Sequence, residues 1–195
     1  MPKYIMHSDY ASYVALDVHS RSITAHAICL ETAETRTRRF TGPPNADEIA
    51  SWAKSWLTGP IYLAYESGLC GFQLQRDFDR LGLHCDVIAV SSIARSPEDK
   101  YLKDDKRDAK RLLSEITKID SKAKTVYVPT GRIESLRDLT RARYDAVKAA
   151  RRSKQLASAM LNRYGYVWNE KTQTGRLKTT WTPEYVSWAK KAEFK

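Results

Sequence analysis

Tyr13-Val14-Ala15-Leu16-Asp17-Val18-His19 is rich in apolar and β-branched residues, with one carboxylate set between Leu16 and Val18. It reads as a strand. Ser20-Arg21-Ser22 turns the chain into a second run, Ile23 to Leu30. A third, Thr35 to Thr41, carries Arg36, Arg38 and Arg39 and has the polarity of an edge strand. Three strands joined by short connections make a β-meander.

Beyond the meander the periodicity changes. Asn45 precedes Glu48 at the spacing of a helix-capping box, and Ile49, Trp52, Ala53 and Trp56 recur at helical spacing before Gly59. Ile61 to Tyr65 is a candidate buried strand, Phe72 to Leu81 a helix stopped by Gly82, and His84 to Val90 a further strand. A strand, a helix and a strand in succession form a crossover, and crossovers join parallel strands. The expected fold class is therefore α/β, a mixed sheet with helices on its faces.

Pro97 interrupts the chain, and Asp104 to Thr117 is helical in pattern, with Ala109, Leu112, Leu113 and Ile116 as its inward stripe. Val126 to Val128 is expected as a last short strand, closing a first domain over residues 1–130. Residues 131–165 read as one long basic helix. In it Leu136, Leu139, Ala142, Ala146, Ala149, Ser153, Leu156 and Met160 fall at alternating steps of three and four, a coiled-coil-like seam weak in its middle. Residues 166–195 form an aromatic tail with a short helix from Thr182, where Pro183 takes the first position and Trp181 and Val186 are set for a hydrophobic staple.

Composition narrows the classes. No apolar run approaches the ~18 residues that suggest a membrane span, and residues 1–13 lack the apolar stretch of a secretory signal. Cys29, Cys70 and Cys85 are odd in number and lack paired metal spacing, the pattern of buried reduced thiols in a cytoplasmic protein. The 33 basic and 23 acidic residues leave a net charge of +10, which favours a polyanionic partner through counterion release. The long helix holds nine basic residues against three acidic ones, so six of those ten charges lie on it.

The carboxylates give the charge a chemistry. An ionised side chain on a buried strand is costly unless a cation or several donors compensate it, so Asp17 needs a partner. So does Glu66, which closes the apolar run from Ile61. In Lys103-Asp104-Asp105-Lys106-Arg107-Asp108-Ala109, Asp105 and Asp108 are three apart on a helix and project from one face. Hard oxygen ligands from two strands and one helix suit Mg²⁺, and paired ions about 3.5–4 Å apart support phosphoryl transfer. Each residue alone has a plainer reading: a strand end bonded to backbone amides for Asp17, a capping acid for Glu66, and a complement to the helix dipole for Asp104, Asp105 and Asp108.

Leu16-Asp17-Val18-His19, Tyr65-Glu66-Ser67-Gly68 and Lys103 to Ala109 resemble, in order, the three signature blocks of the insertion-sequence 110 family of transposases, also called the DEDD family. The resemblance runs from about residue 13 to residue 165. It implies a ribonuclease H-like, RuvC-like fold for residues 1–130 and a Mg²⁺-binding catalytic tetrad of Asp17, Glu66, Asp105 and Asp108, with Mn²⁺ as a substitute ion. Asp104 stands where that family more often has a small polar residue, and it shares a helix face with Asp108. The resemblance further implies an RNA-guided DNA recombinase of the bacterial cytoplasm and nucleoid. Its partners are DNA and a guide non-coding RNA, and its metal site acts beside a serine on a second, carboxy-terminal domain. No candidate for that domain precedes Lys195, so the chain is expected to be an amino-terminal portion that does not complete strand exchange alone.

Lys103, Lys106, Arg107, Lys110 and Arg111 surround the helix aspartates, and Arg151, Arg152 and Lys154 form the densest basic cluster of the long helix. Both groups are candidates for holding backbone phosphates, against the plainer reading of solvated basic faces. His19 shares the strand face of Asp17, where packing or an ordinary hydrogen bond is the simpler role. Trp168, Trp181, Tyr185 and Trp188 have the chemistry to stack on bases, but packing against the long helix is the default. Self-association through the long helix, as a dimer, is expected. Two competing readings keep part of this picture: a stand-alone RuvC-like nuclease such as a junction resolvase, and a non-enzymatic ribonuclease H-like module that only binds nucleic acid.

Overall fold

β1 (Ser12–His19) is the central strand of a five-stranded sheet. β2 (Ser22–Cys29) and β3 (Thr35–Thr41) continue from it as the antiparallel meander, while β4 (Ile61–Glu66) and β5 (His84–Ile88) add on its other side in parallel. The order is β3-β2-β1-β4-β5. This computed structural model describes residues 9–68, 70–93, 105–118 and 120–193, with Asp105 and Lys106 described by backbone alone. The expected α/β class and mixed sheet are what it contains.

Helices cover both faces because both are apolar. Val14, Leu16 and Leu63 point to the side of α1 (Ala46–Lys54) and α2 (Gln73–Arg80), where Ile49, Ala53, Leu74 and Phe78 complete one core. Tyr13, Ala15, Tyr62 and Ala64 point the other way, against Leu112, Leu113 and Ile116 of α3 (Asp105–Ile116). The two-residue period of each strand thus divides the sheet between two cores. β3 is polar throughout except Phe40, as an edge strand should be.

Two local expectations need correction. Val126 to Val128 forms no strand: Thr125 makes a single antiparallel bridge to Ile88, and Val126 N–H donates to Val87 O across 2.7 Å. Pro129 offers no amide to extend a ladder, although Val126 and Val128 still pack against the core. β5 ends at Ile88 rather than Val90, because Val90–Ser92 tightens into a 3₁₀ turn, with Ser92 Oγ donating to Ala89 O at 2.7 Å.

The chain divides into two units, Met1–Val128 and Pro129–Lys195. In the second, α4 (Gly131–Arg163) is a single helix of 33 residues. Its side chains are largely exposed; Leu161, near its end, is buried. α5 (Pro183–Ala189) starts with Thr182 Oγ1 accepting from Tyr185 N–H. Tyr185 is buried among Trp168, Trp181 and Trp188, and its hydroxyl meets Ser158 Oγ of α4 at 3.2 Å. Among the described residues no helix is long and apolar enough to cross a membrane.

Candidate functional site

Parallel pairing of β1 with β4 runs in register as far as Leu16 and Tyr65. One step further stand Asp17 and Glu66, both on the sheet face that α3 covers. The two carboxylates therefore stand on adjacent parallel strands just past the end of the β1–β4 ladder, toward the carboxyl ends of the strands. Each is partly buried, with side-chain exposure of 18% for Asp17 and 26% for Glu66. His19 Nε2 lies 3.1 Å from Asp17 Oδ2, so His19 has the ordinary hydrogen bond that its position suggested.

α3 brings the third carboxylate. Arg111 Nη2 donates to Glu66 Oε1 across 2.9 Å and lies 3.5 Å from Asp108 Oδ1. One guanidinium thus links a strand-end glutamate with a helix aspartate 42 positions later. By sequence Arg111 belongs with the candidate phosphate-holding cations. The structure turns it inward instead, for a physical reason: the side of α3 that carries Leu112 and Ile116 packs on the sheet, and Arg111 beside it meets the only described carboxylate at the end of β4. Spacing gave half the signal, since Asp108 and Arg111 are three apart on a helix.

The other expected residues are distributed as follows. The backbone of Asp105 opens α3, but its side chain and that of Lys106 lie outside the described set, as do Lys103 and Asp104 entirely. Arg107 and Lys110 are exposed on α3. The half-buried His26 of β2 is held below the usual histidine range by burial first and then by the charge of Lys110, with a backbone hydrogen bond at Arg36 opposing. Arg151, Arg152 and Lys154 are exposed on α4, in the second unit.

Among the described residues no three His, Cys, Asp or Glu side chains converge as a ready-made metal cage. The donor set still fits a hard ion. Mg²⁺ commonly uses one or two carboxylates and completes its shell with water and substrate phosphate oxygens. Arg111 already neutralises two of the acids, Glu66 and Asp108.

The fold and site define a mixed α/β domain that gathers carboxylates at adjoining strand ends and is followed in the chain by a strongly basic helix. No family model matches it. The chain is 34% identical over 134 residues to y4qE of Sinorhizobium fredii, a protein named as a transposase, covering 69% of this chain and 32% of that one. It is 32% identical over 104 residues to the transposase for insertion sequence element IS1533 of Leptospira borgpetersenii, covering 51% of this chain and 29% of that one. The chain spans about a third of the length of these curated relatives.

Proposed function

We propose that this chain carries the metal-holding carboxylates of a DNA transposase of the insertion-sequence 110, or DEDD, type, on a ribonuclease H-like (RuvC-like) scaffold. The observation that carries the reading is the Glu66–Arg111–Asp108 bridge beside the strand end that bears Asp17. The transposase names of both relatives support DNA as the substrate. The strand order, three antiparallel strands followed by two parallel ones, supports the scaffold.

Asp17, Glu66 and Asp108, with Asp105, would hold Mg²⁺, or Mn²⁺ in its place. Bound there, the ion supplies Lewis acidity to a phosphodiester and offsets the charge that develops on its oxygens. The protein's own side chains prepare that site. β1 and β4 fix two acids on rigid backbone, His19 restrains one oxygen of Asp17, and Arg111 neutralises Glu66 and Asp108. Lys103, Lys106, Arg107 and Lys110 of the first unit, and Arg151, Arg152 and Lys154 of the second, hold backbone phosphates and so position the strand without reading its sequence. A guide RNA belongs to the same reading, as does self-association through α4, whose Leu136, Leu139 and Leu156 are 63%, 68% and 62% exposed and form an apolar row that a second copy would cover.

The test is calorimetric titration of the chain with Mn²⁺. Asp17→Asn and Glu66→Gln should each weaken binding at least about tenfold, the cost of losing even an outer-shell partner of a metal, while Asp47→Asn, on the exposed first turn of α1, should leave it unchanged. Identical isotherms for all four proteins would overturn the reading. Two features favour a second reading, a nucleic-acid-binding module without catalysis: Arg111 already satisfies Glu66, and the described acids form no complete cage. That alternative requires the identical isotherms.

A further inference from the structure

Trp181 adopts φ +69°, in the left-handed region. A bulky residue is rarely found there, and it stays only where its surroundings over-determine it. Its ring lies against Tyr185 with centroids 5.2 Å apart, and Lys154 Nζ of α4 stands 5.6 Å from the ring centroid. Trp168 and Trp188 also pack on Tyr185, at 5.4 and 5.3 Å between centroids. Trp181 remains half-buried, and with Arg151, Lys154, Gln155, Asn162 and Thr180 it lines an open groove of about 470 Å³. Among the described residues no carboxylate lines that groove.

Two cations, two amides, two hydroxyls and an indole face have one common ligand. The cations call for a phosphate, the amides can both donate to and accept from a base edge, and the indole offers a surface on which any base can stack. We propose that this groove binds one unpaired nucleotide of a nucleic-acid strand, its base stacked on Trp181 and its flanking phosphates held by Arg151 and Lys154. The site lies wholly within the second unit. It deepens the phosphate-holding role given to α4 and rests on that role, but not on the carboxylates of the first unit. A paired base has both faces covered by its neighbours, so the groove selects single strands over duplex.

Fluorescence anisotropy with labelled oligothymidylate and oligouridylate strands of about 15 nucleotides, and with a duplex of the same length, tests this on the full chain. Trp181→Ala should weaken single-strand binding about tenfold, leave the salt slope unchanged and leave duplex binding unchanged. Trp181→Phe should retain most of the affinity. Arg151→Gln and Lys154→Gln should each reduce the salt slope by about one. The two strands separate a DNA from an RNA ligand, and the effect on either one supports the site. Trp181→Gly, which relieves the backbone at φ +69°, guards against simple misfolding: it should stay folded by circular dichroism and lose the single-strand preference as Trp181→Ala does. Equal loss on strand and duplex, or no loss on either strand, overturns the groove. Strand binding is measured in chelator, and Asp47→Asn, on the exposed first turn of α1, should bind strands like the parent chain, so failure of the metal reading and failure of this one are separately visible.

Discussion

Arg111 Nη2 stands 2.9 Å from Glu66 Oε1, joining α3 to the end of β4 by a charged hydrogen bond between two side chains that are each about three-quarters buried or more. Arg111→Met keeps an unbranched, flexible stem but leaves Glu66 and Asp108 without their shared cation. Partial solvent exposure moderates the cost, so the variant should lose roughly 1–2 kcal/mol in chelator. Millimolar Mg²⁺ should then restore more of the lost melting temperature than it adds to the parent protein. Thermal denaturation with and without Mg²⁺ measures both. An equal response of the two proteins to the ion would show that Arg111 is not holding the place of a cation.

The position of Asp17 was legible in the sequence because a carboxylate inside an apolar strand is a local contradiction that some partner must resolve. The meander and the crossover were legible for a related reason: period and turn residues are local, and pairing follows from connection length. Arg111 was legible only in part. Its spacing from Asp108 is written along the helix, but its approach to Glu66 depends on how α3 lies across the sheet, which no local pattern encodes. Val126 to Val128 shows the opposite error, a short apolar run with strand composition that finds no ladder to join. Nothing in the residues around Trp181 signals a left-handed backbone, since that region favours glycine and asparagine.

Asn45 tests the local end of this logic. Its Oδ1 accepts from Asp47 N–H at 3.0 Å and Glu48 N–H at 3.2 Å, while Glu48 itself turns to Arg38 at 3.4 Å, so only the forward half of the expected capping box is built. Asn45→Ala should cost about 1 kcal/mol. Glu48→Gln, which leaves the cap intact and weakens only an exposed ion pair, should cost a few tenths at most. Urea denaturation of both variants decides the ranking, and the reverse order would contradict the cap geometry.

Tyr62 gives the fold an alkaline limit. It is 1% exposed and donates its hydroxyl to Asp86 Oδ2 across 3.0 Å. Burial, and after it the negative charge of Asp86, pushes its ionisation far above the usual 10.0. The folded state therefore keeps this proton more tightly than the unfolded chain does. Its contribution is full below the unfolded value and is lost progressively as pH rises above about 10. Tyr62→Phe should cost about 1 kcal/mol at neutral pH by removing the hydrogen bond and should fall less steeply than the parent at high pH. Parallel slopes in urea melts between neutral and strongly alkaline pH would rule Tyr62 out as a source of that limit.

The three thiols should react in a set order. Cys29 and Cys85 are 1% and 2% exposed; burial pushes the Cys85 thiol up, whereas hydrogen bonds from Thr32 and then Thr58 bring the Cys29 thiol down to about 6, so Cys29 is shielded by its burial alone. Cys70 is partly exposed and lines a cavity of about 640 Å³ together with His19, Gln73 and Leu74. Under native conditions iodoacetamide should modify Cys70 first, and the other two should follow only on unfolding. Peptide mapping after brief native alkylation reads this directly; early label on Cys85 would mean that β5 opens far more readily than its core position allows.

Gly59 carries the sharpest steric prediction. It adopts φ +65°, and a Cβ built there would come within 2.6 Å of Ala11 Cβ, the residue whose amide donates to Pro60 O at 3.0 Å. Two costs coincide in Gly59→Ala: a left-handed backbone for a residue with a side chain, at ~1–2 kcal/mol, and a contact that only a shift of the β1 approach can relieve. The combined loss should reach about 2–4 kcal/mol. Gly82→Ala separates the two effects, because Gly82 has φ +70° but open space around the added carbon. It should lose only the backbone part. If chemical denaturation finds the two substitutions equally costly, the close approach of residues 11 and 59 is not a feature of the folded protein, and the entry into β1 beside β4 must be drawn differently.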